Sequence, residues 1–312
     1  MKDKVDFIGI GAEKSGSSWV CQCLESHPEI GFSAQCSDRE LNFFNEARES
    51  DGYALWPSQY ELGLDWYLEQ FPDGFKTIGE FSCSYFFDKA APERIKDAFP
   101  DVKILATLRN PVDMIYSVYW WHKSGIRSKV PPDFDKAVAD GNYEGIEAFR
   151  GLYHKHLEKY LGLFDKNQVH VVLLDDIRKN PSETAKSVFE FLEVDSGFSI
   201  VGLDKKVNPA RKVRSVGLMS AASWFNNFMG KVGVDLQESY ARGNVVLKWL
   251  YSIYASANLS REKYPDMKPE TRKMLMEYYA DDIGQLSALI SRDLGQWKKV
   301  DQNDAPPEES LL

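Results

Sequence analysis

Four short apolar runs, at residues 5–10, 77–80, 102–108 and 169–174, are spaced along the chain with helical pattern between them. Each is rich in Val, Ile and Leu with little polar alternation, the mark of strands buried on both faces. Parallel neighbours need long crossover connections, and helical segments fill the gaps. The rhythm predicts an α/β fold, a three-layer domain whose central parallel sheet is flanked by helices. Helices are expected at 17–26, 62–70, 90–98, 111–123, 145–164, 181–192 and 269–291, several opened by proline near the first turn. At 312 residues, one large core is the natural reading, spanning 1–300.

Two stretches stand apart from this rhythm. Residues 215–260 carry Trp224, Phe225, Phe228, Trp249, Tyr251 and Tyr254 among glycine-interrupted helical patterns, and read as a helical insertion over the sheet edge or mouth. Residues 301–312, with paired prolines and acids, read as a disordered tail. The net charge of −9 disfavours nucleic acid and polyanionic glycans, which need a broad basic face, so any anion site is local. No apolar run reaches the roughly 18 residues a membrane helix needs, and Met1-Lys2-Asp3-Lys4 leads straight into a short strand, so the expectation is a cytoplasmic protein without a membrane partner. Cys21, Cys23, Cys36 and Cys83 match no zinc spacing and read as free thiols.

The first strand runs into Gly9-Ile10-Gly11-Ala12-Glu13-Lys14-Ser15-Gly16-Ser17-Ser18-Trp19 and then a helix. A strand, a Gly/Ser-rich turn and a helix N-terminus present several backbone N–H groups to an anion, and Lys14 adds a point charge. The domain is therefore P-loop-like. It departs from the Walker A pattern, in which Lys directly follows the second Gly; here Ser17 follows Gly16 and the Lys precedes that Gly by two positions. Charge placed that early suits stabilising a bridging oxygen as a bond to it breaks, which sulfonyl transfer requires without a metal.

Lys14-Ser15-Gly16-Ser17-Ser18-Trp19 resembles the 5′-phosphosulfate loop of sulfotransferases that use 3′-phosphoadenosine 5′-phosphosulfate (PAPS). The resemblance implies that Lys14 contacts the phosphosulfate, that Ser15, Gly16, Ser17 and Ser18 cradle it, and that Trp19 stacks on adenine. A second element supports it: residues 102–108 form a strand ending in Arg109-Asn110-Pro111, with Ser117 eight residues beyond the Arg. An Arg at a strand's carboxyl end is placed to grip a phosphate bidentately. This spacing is similar to the family's 3′-phosphate site, so Arg109 and Ser117 are implied ligands. The basic cluster at 205–215 resembles the late loop that closes over the nucleotide, with Arg211, Lys212 and Arg214 as further candidates.

Sulfonyl transfer needs a base near the acceptor. His27, before Pro28, reads as a helix-end residue, and His122 ends an aromatic-rich helix. Arg39-Glu40-Leu41-Asn42-Phe43-Phe44-Asn45, with Gly63-Leu64-Asp65-Trp66-Tyr67, resembles the heparan sulfate branch of the family, which implies Glu40 as the base, oriented by donors such as Arg39 or Asn42. The stretch Gly79-Glu80-Phe81-Ser82-Cys83-Ser84-Tyr85-Phe86 follows that branch too, except that Phe81 stands where those enzymes commonly carry Lys. The departure, with the acidic charge, points to a smaller soluble acceptor. Glu80, Phe81 and His122 are candidate acceptor-side residues, Glu80 serving as second base or orienting Lys14. The likeness extends over most of 5–295, including Pro269 to Arg272, Asp281 to Leu286 and Leu294 to Trp297, but not to 215–260, which is either an acceptor lid or core.

The expected function is transfer of a sulfonyl group from PAPS to a hydroxyl or amine of a small molecule, leaving adenosine 3′,5′-bisphosphate (PAP), with no metal. Two rivals stand beside it. An atypical P-loop kinase would draw on Val171 to Asp176 as a Walker B strand, and a non-catalytic nucleotide-binding protein would keep the fold alone. Oligomeric state and the choice between O- and N-sulfation are not encoded legibly.

Overall fold

A computed structural model describes residues 4–33, 40–46, 58–123, 130–200, 212–213, 259–260 and 264–298. The main sheet is built from β1 (Phe7–Gly11), β2 (Ile30–Phe32), β3 (Thr77–Phe81), β4 (Lys103–Leu108) and β5 (Val169–Leu173). They pair in parallel in the order β2-β3-β1-β4-β5. Around the sheet lie α1 (Ser17–Ser26), α2 (Gly63–Leu68), α3 (Ala91–Ala98), α4 (Pro111–Lys123), α5 (Phe134–Ala139), α6 (Tyr153–Leu163), α7 (Leu174–Lys179), α8 (Pro181–Phe191) and α9 (Pro269–Leu289).

The continuous apolar strands have the predicted cause, because each face of the sheet has its own helical layer. On β1, Ile8 and Ile10 face one core while Phe7 faces the other; on β4, Ile104, Ala106 and Leu108 oppose Leu105. The first core is closed by Ile95 of α3, Met114 and Ile115 of α4, Leu157 and Tyr160 of α6, and Leu275 and Tyr279 of α9. The second is closed by Val20 and Leu24 of α1, Ile177 of α7, and Val188 and Phe189 of α8. Two polar clamps fix α9: Arg272 Nη2 donates to Asp113 Oδ1 at 2.6 Å, and Thr271 Oγ1 to Asp135 Oδ1 at 2.5 Å.

The structure departs from the sequence expectations in local ways. β2 is three residues with a central glycine, too short to leave a period, yet it completes the sheet edge. The helix expected over 145–164 is broken: Glu147 has φ 56°, a tight turn spans Ala148–Gly151, and α6 begins at Tyr153. Leu174 opens α7 instead of ending β5. α5 is a six-residue helix whose Asp133 side chain accepts from Lys136 N–H at 2.9 Å.

Lys212–Val213 and Leu259–Ser260 form β6 and β7, a short antiparallel ladder that brackets the stretch expected as an insertion. The rest of 215–260, with its aromatic residues, lies outside the described residues, as do Cys36, Arg39, Arg211, Arg214 and the tail 301–312. Cys21, Cys23 and Cys83 are free thiols. Among the described residues no helix is long and apolar enough to cross a membrane.

Candidate active site

β1 lies at the sheet's centre, with β3 on one side and β4 on the other, and its carboxyl end is the topological switch point of the sheet. The loop that leaves it is pinned from both neighbours. Ala12 N–H donates to Thr107 O at 2.7 Å, Thr107 Oγ1 donates to Ala12 O at 3.2 Å, and Ser82 N–H donates to Gly9 O at 2.8 Å. Arg109, at the end of β4, reaches Lys14 O from Nη1 at 3.5 Å. The expected phosphate loop and the expected 3′-phosphate Arg are thus adjacent.

Two glycines make the turn. At Gly11, φ is 112° and a Cβ would lie 2.4 Å from Cys83 O, so the β1 and β3 exits approach as closely as they do only without a side chain. Gly16, with φ 100°, is the N-cap of α1, and no side chain caps that helix. Lys14, Gly16, Ser17 and Ser18 are partly exposed at this helix start, the end of a helix whose dipole favours an anion. Ser15 is fully buried, and its hydroxyl donates to Glu13 O at 3.1 Å, so its side chain is committed inside the loop. Gly16→Ala is expected to cost about 1–2 kcal/mol, because a side chain is strained at that φ and its Cβ would meet Ile177 Cδ1 at 2.9 Å. Thermal denaturation checks it; an unchanged midpoint contradicts it.

Lys14 is partly buried, and desolvation holds its amine below the usual 10.5, with the Glu13 and Cys83 charges opposing and Arg109 assisting. Its Nζ stands 5.2 Å from the centroid of the Trp121 ring. Trp121 is 37% exposed at the end of α4, an aromatic neighbour of Lys14 that the sequence pattern did not single out. Ser117 lies in the second turn of the same helix, partly exposed.

Glu40 reaches the loop through Cys83. Cys83 N–H donates to Glu40 Oε2 at 3.0 Å, while the thiol hydrogen-bonds with Ser17. The segment carrying Glu40 is fastened beside β3: Asn42 N–H donates to Ser82 Oγ at 3.0 Å, and Ser84 Oγ donates to Asn42 Oδ1 at 2.6 Å. Burial pushes the Glu40 carboxyl up to about 7, with the Cys83 hydrogen bonds opposing and the Glu13 and Glu80 charges adding to the rise. A carboxylate with that value is matched to general-base work near neutrality. Its orienting donor is Cys83, whereas Asn42 Nδ2 donates to the Glu40 main-chain carbonyl at 3.0 Å. Cys83 was not expected in the site; only the parallel placement of β3 beside β1 reveals it.

Other expected residues have moved. Glu80 has no exposed surface and accepts from Ser82 Oγ at 2.6 Å, Tyr85 OH at 2.8 Å and Tyr67 OH at 3.2 Å. These three hydroxyls occupy the carboxylate, so it neither faces an acceptor nor orients Lys14 by contact. Phe81, one residue on, takes the opposite face of β3 and packs over Gly9 in the second core, 2% exposed. Both are core residues. Trp19 is 7% exposed and packs in the same core, which leaves little of its ring for a nucleotide. His122 is also 7% exposed, its Nδ1 3.8 Å from Glu147 Oε2, and burial lowers its pKa despite that carboxylate. His27 follows α1, its Nε2 2.9 Å from Asp195 O, away from these groups. Lys212 lies in β6, while Arg211 and Arg214 lie outside the described residues.

Burial pushes the Glu80 carboxyl from 4.5 to about 7 against its three hydrogen bonds. A raised carboxylate pKa means the folded state holds a proton the unfolded state has lost, so this residue's contribution to stability falls as pH rises from 4.5 to about 7. Glu80→Gln does not titrate. Its melting temperature relative to wild type is expected to climb between about pH 5 and about pH 8, by the equivalent of at most ~3 kcal/mol. A pH-independent difference in scanning calorimetry contradicts this.

The acids of the Walker B-like stretch are committed elsewhere. Asp175 Oδ2 accepts from Trp297 Nε1 at 2.6 Å, and Asp176 accepts from Arg292 Nη2 at 2.9 Å. They follow β5, which β4 separates from β1. Among the described residues no cluster of three or more His, Cys, Asp or Glu is placed to hold a metal ion.

A strand, a glycine turn and a helix start at the switch point of a parallel sheet are the arrangement in which α/β proteins commonly hold phosphate-bearing ligands. The family model of the sulfotransferase domain matches residues 4–286, and the chain belongs to that family. It is 25% identical over 306 residues to the human bifunctional heparan sulfate N-deacetylase/N-sulfotransferase 2, covering 93% of this chain and 30% of that protein. It is 26% identical over 312 residues to the mouse bifunctional heparan sulfate N-deacetylase/N-sulfotransferase 3, covering 93% and 30%. The chain thus spans about 30% of the length of these relatives. The crystal structure of a sulfotransferase from Alicyclobacillus acidocaldarius shares the fold, with a TM-score of 0.63, 23% identity, and coverage of 95% of this chain and 99% of that one. Within that family, the sequence is similar to the heparan sulfate branch, as the motifs around Glu40 implied.

Proposed function

We propose that the protein moves the sulfonyl group of PAPS to a hydroxyl or amine of a small soluble acceptor, with Glu40 as base and Lys14 opposite the departing oxygen. The observation that carries this reading is the Cys83 link, which joins a carboxyl with a pKa raised to about 7 to the loop that bears Lys14. The uncapped start of α1 and the Gly16 turn fit the phosphosulfate, and Arg109, which contacts Lys14 O, is assigned with Ser117 to the 3′-phosphate. The acceptor heteroatom gives its proton to Glu40 as it bonds to sulfur, and the breaking sulfur–oxygen bond leaves its electron pair on the phosphate of PAP beside Lys14. Fixed charges in a partly buried site need little reorganisation during that step.

A small acceptor is supported by charge and by Trp121. The relatives' names carry heparan sulfate, a polyanion, whereas this chain has a net charge of −9. The exposed Trp121 ring beside Lys14 offers an apolar face suited to a compact ring-bearing molecule. The test is turnover of radiolabelled PAPS against a panel of small alcohols, phenols and amines and against N-desulfated heparan. Label transferred to a small compound is the expected result. Transfer confined to the polymer overturns the choice of acceptor, and consumption of ATP with magnesium in place of PAPS overturns the reading entirely.

A further inference from the structure

Behind the phosphate loop lies a buried charge cluster that the proposed chemistry does not use directly. Arg150, 3% exposed, sits in the turn Ala148–Gly151. Its Nη1 contacts Glu13 Oε1 at 2.5 Å and its Nε contacts Glu147 Oε2 at 2.6 Å. The guanidinium also lies 4.3 Å over the Phe87 ring. Glu147 is 1% exposed, and neither of its carboxylate oxygens nor Arg150 Nε has a hydrogen-bond partner, so the Arg150–Glu147 contact is a close ion pair without hydrogen-bond geometry. The circuit then runs through His122, 3.8 Å from Glu147, to Trp121, whose ring lies 4.8 Å from that of His122 and 5.2 Å from Lys14 Nζ.

The count of charges is uneven. Two buried carboxylates share one guanidinium, His122 is held toward its neutral form by burial, and Lys14 is next to Glu13 in the chain. A buried carboxylate stripped of its partner is strongly driven to find another cation. Lys14 is the nearest such cation by sequence, yet among the described residues its Nζ forms no ion pair within 4.0 Å. Arg150 holds the Glu13 carboxylate instead.

We infer that Arg150 is a positioning residue for Lys14: by engaging Glu13 it keeps that carboxylate from capturing the Lys14 ammonium, which is left facing the donor site. Its consequence for turnover rests on the role proposed for Lys14, but the positioning itself is measurable without turnover. The forked guanidinium contacts two carboxylates at once, which a single ammonium does less well.

The test compares wild type, R150Q and the double variant E13Q/R150Q, each checked for folding by circular dichroism. Accessibility of the Lys14 amine is read by competitive acetylation with acetic anhydride and peptide mass spectrometry at one pH, alongside kcat and KM for PAPS. In R150Q the labelling of Lys14 is expected to fall about fivefold or more as Glu13 takes the ammonium, with kcat reduced more than KM is raised; removing the Glu13 charge as well restores both. Wild-type labelling in R150Q, or a double variant no better labelled than R150Q, overturns the inference. Labelling that falls and recovers while kcat stays at wild type supports the positioning and counts against the role proposed for Lys14. Should R150Q not fold, R150K carries the same comparison with and without E13Q: labelling raised at least about twofold by E13Q supports the inference, and a ratio of one overturns it.

Discussion

Glu40→Gln is expected to lower kcat by about 10²- to 10⁴-fold, the range of a lost general base, while leaving PAP affinity close to wild type. Glutamine preserves the shape of the side chain and an acceptor for Cys83 N–H, the contact made at 3.0 Å, so what disappears is the proton acceptor. The wild-type pH profile carries the same information. The Glu40 carboxyl is raised to about 7, so kcat/KM should rise with pH through that value as the base ionises. The alkaline limb, where Lys14 loses its charge, should begin below the ordinary lysine value because burial lowers that amine. In Glu40→Gln the acid limb should vanish. An acid limb that survives unchanged in the variant assigns it to another group.

Lys14→Ala is expected to lower kcat by about 10²- to 10³-fold, comparable to removing one preorganised donor from a developing oxyanion. The loop itself should persist, because the carbonyl of residue 14 can still accept from Arg109 and the turn is made by Gly11 and Gly16. The backbone angle at Lys14, φ 56°, places an ordinary side chain in a strained region, so alanine inherits a conformation already carried by the native loop. Single-turnover measurement of PAPS consumption separates the chemical step from product release. A rate within threefold of wild type, or roughly so, would remove Lys14 from the mechanism.

Legibility in the sequence followed the range over which each feature is determined. Strands β1, β3, β4 and β5 and the long helices α1, α4, α8 and α9 carry their pattern locally, and their positions are met within a few residues. The turn at Lys14 and the place of Arg109 at the end of β4 were legible for the same reason, since a strand, a glycine turn and a helix start are consecutive in the chain. β2 has too few residues to show a period, and the break at Glu147 leads into a turn whose Arg150 reaches Glu13, a partner far away in the chain that no local pattern announces. Side-chain direction was the weakest point. Glu80 and Phe81 are neighbours on a strand buried on both faces, so each enters a core, and nothing in their motif distinguishes that from a place in a cleft. Cys83 and Trp121 became visible only once β3 and α4 were set around the β1 loop.

The central claim is that the loop at Lys14 and the Arg at the end of β4 form one nucleotide site built for a 3′-phosphate. Isothermal titration of the unmodified protein with PAP, adenosine 5′-monophosphate and ATP, without added metal, tests it most directly. The account predicts that PAP binds at least about tenfold more tightly than the monophosphate, since a bidentate charge-assisted contact to the extra phosphate contributes roughly 1.5–3 kcal/mol. Equal affinity for PAP and the monophosphate, or binding of ATP in preference to PAP, would contradict it.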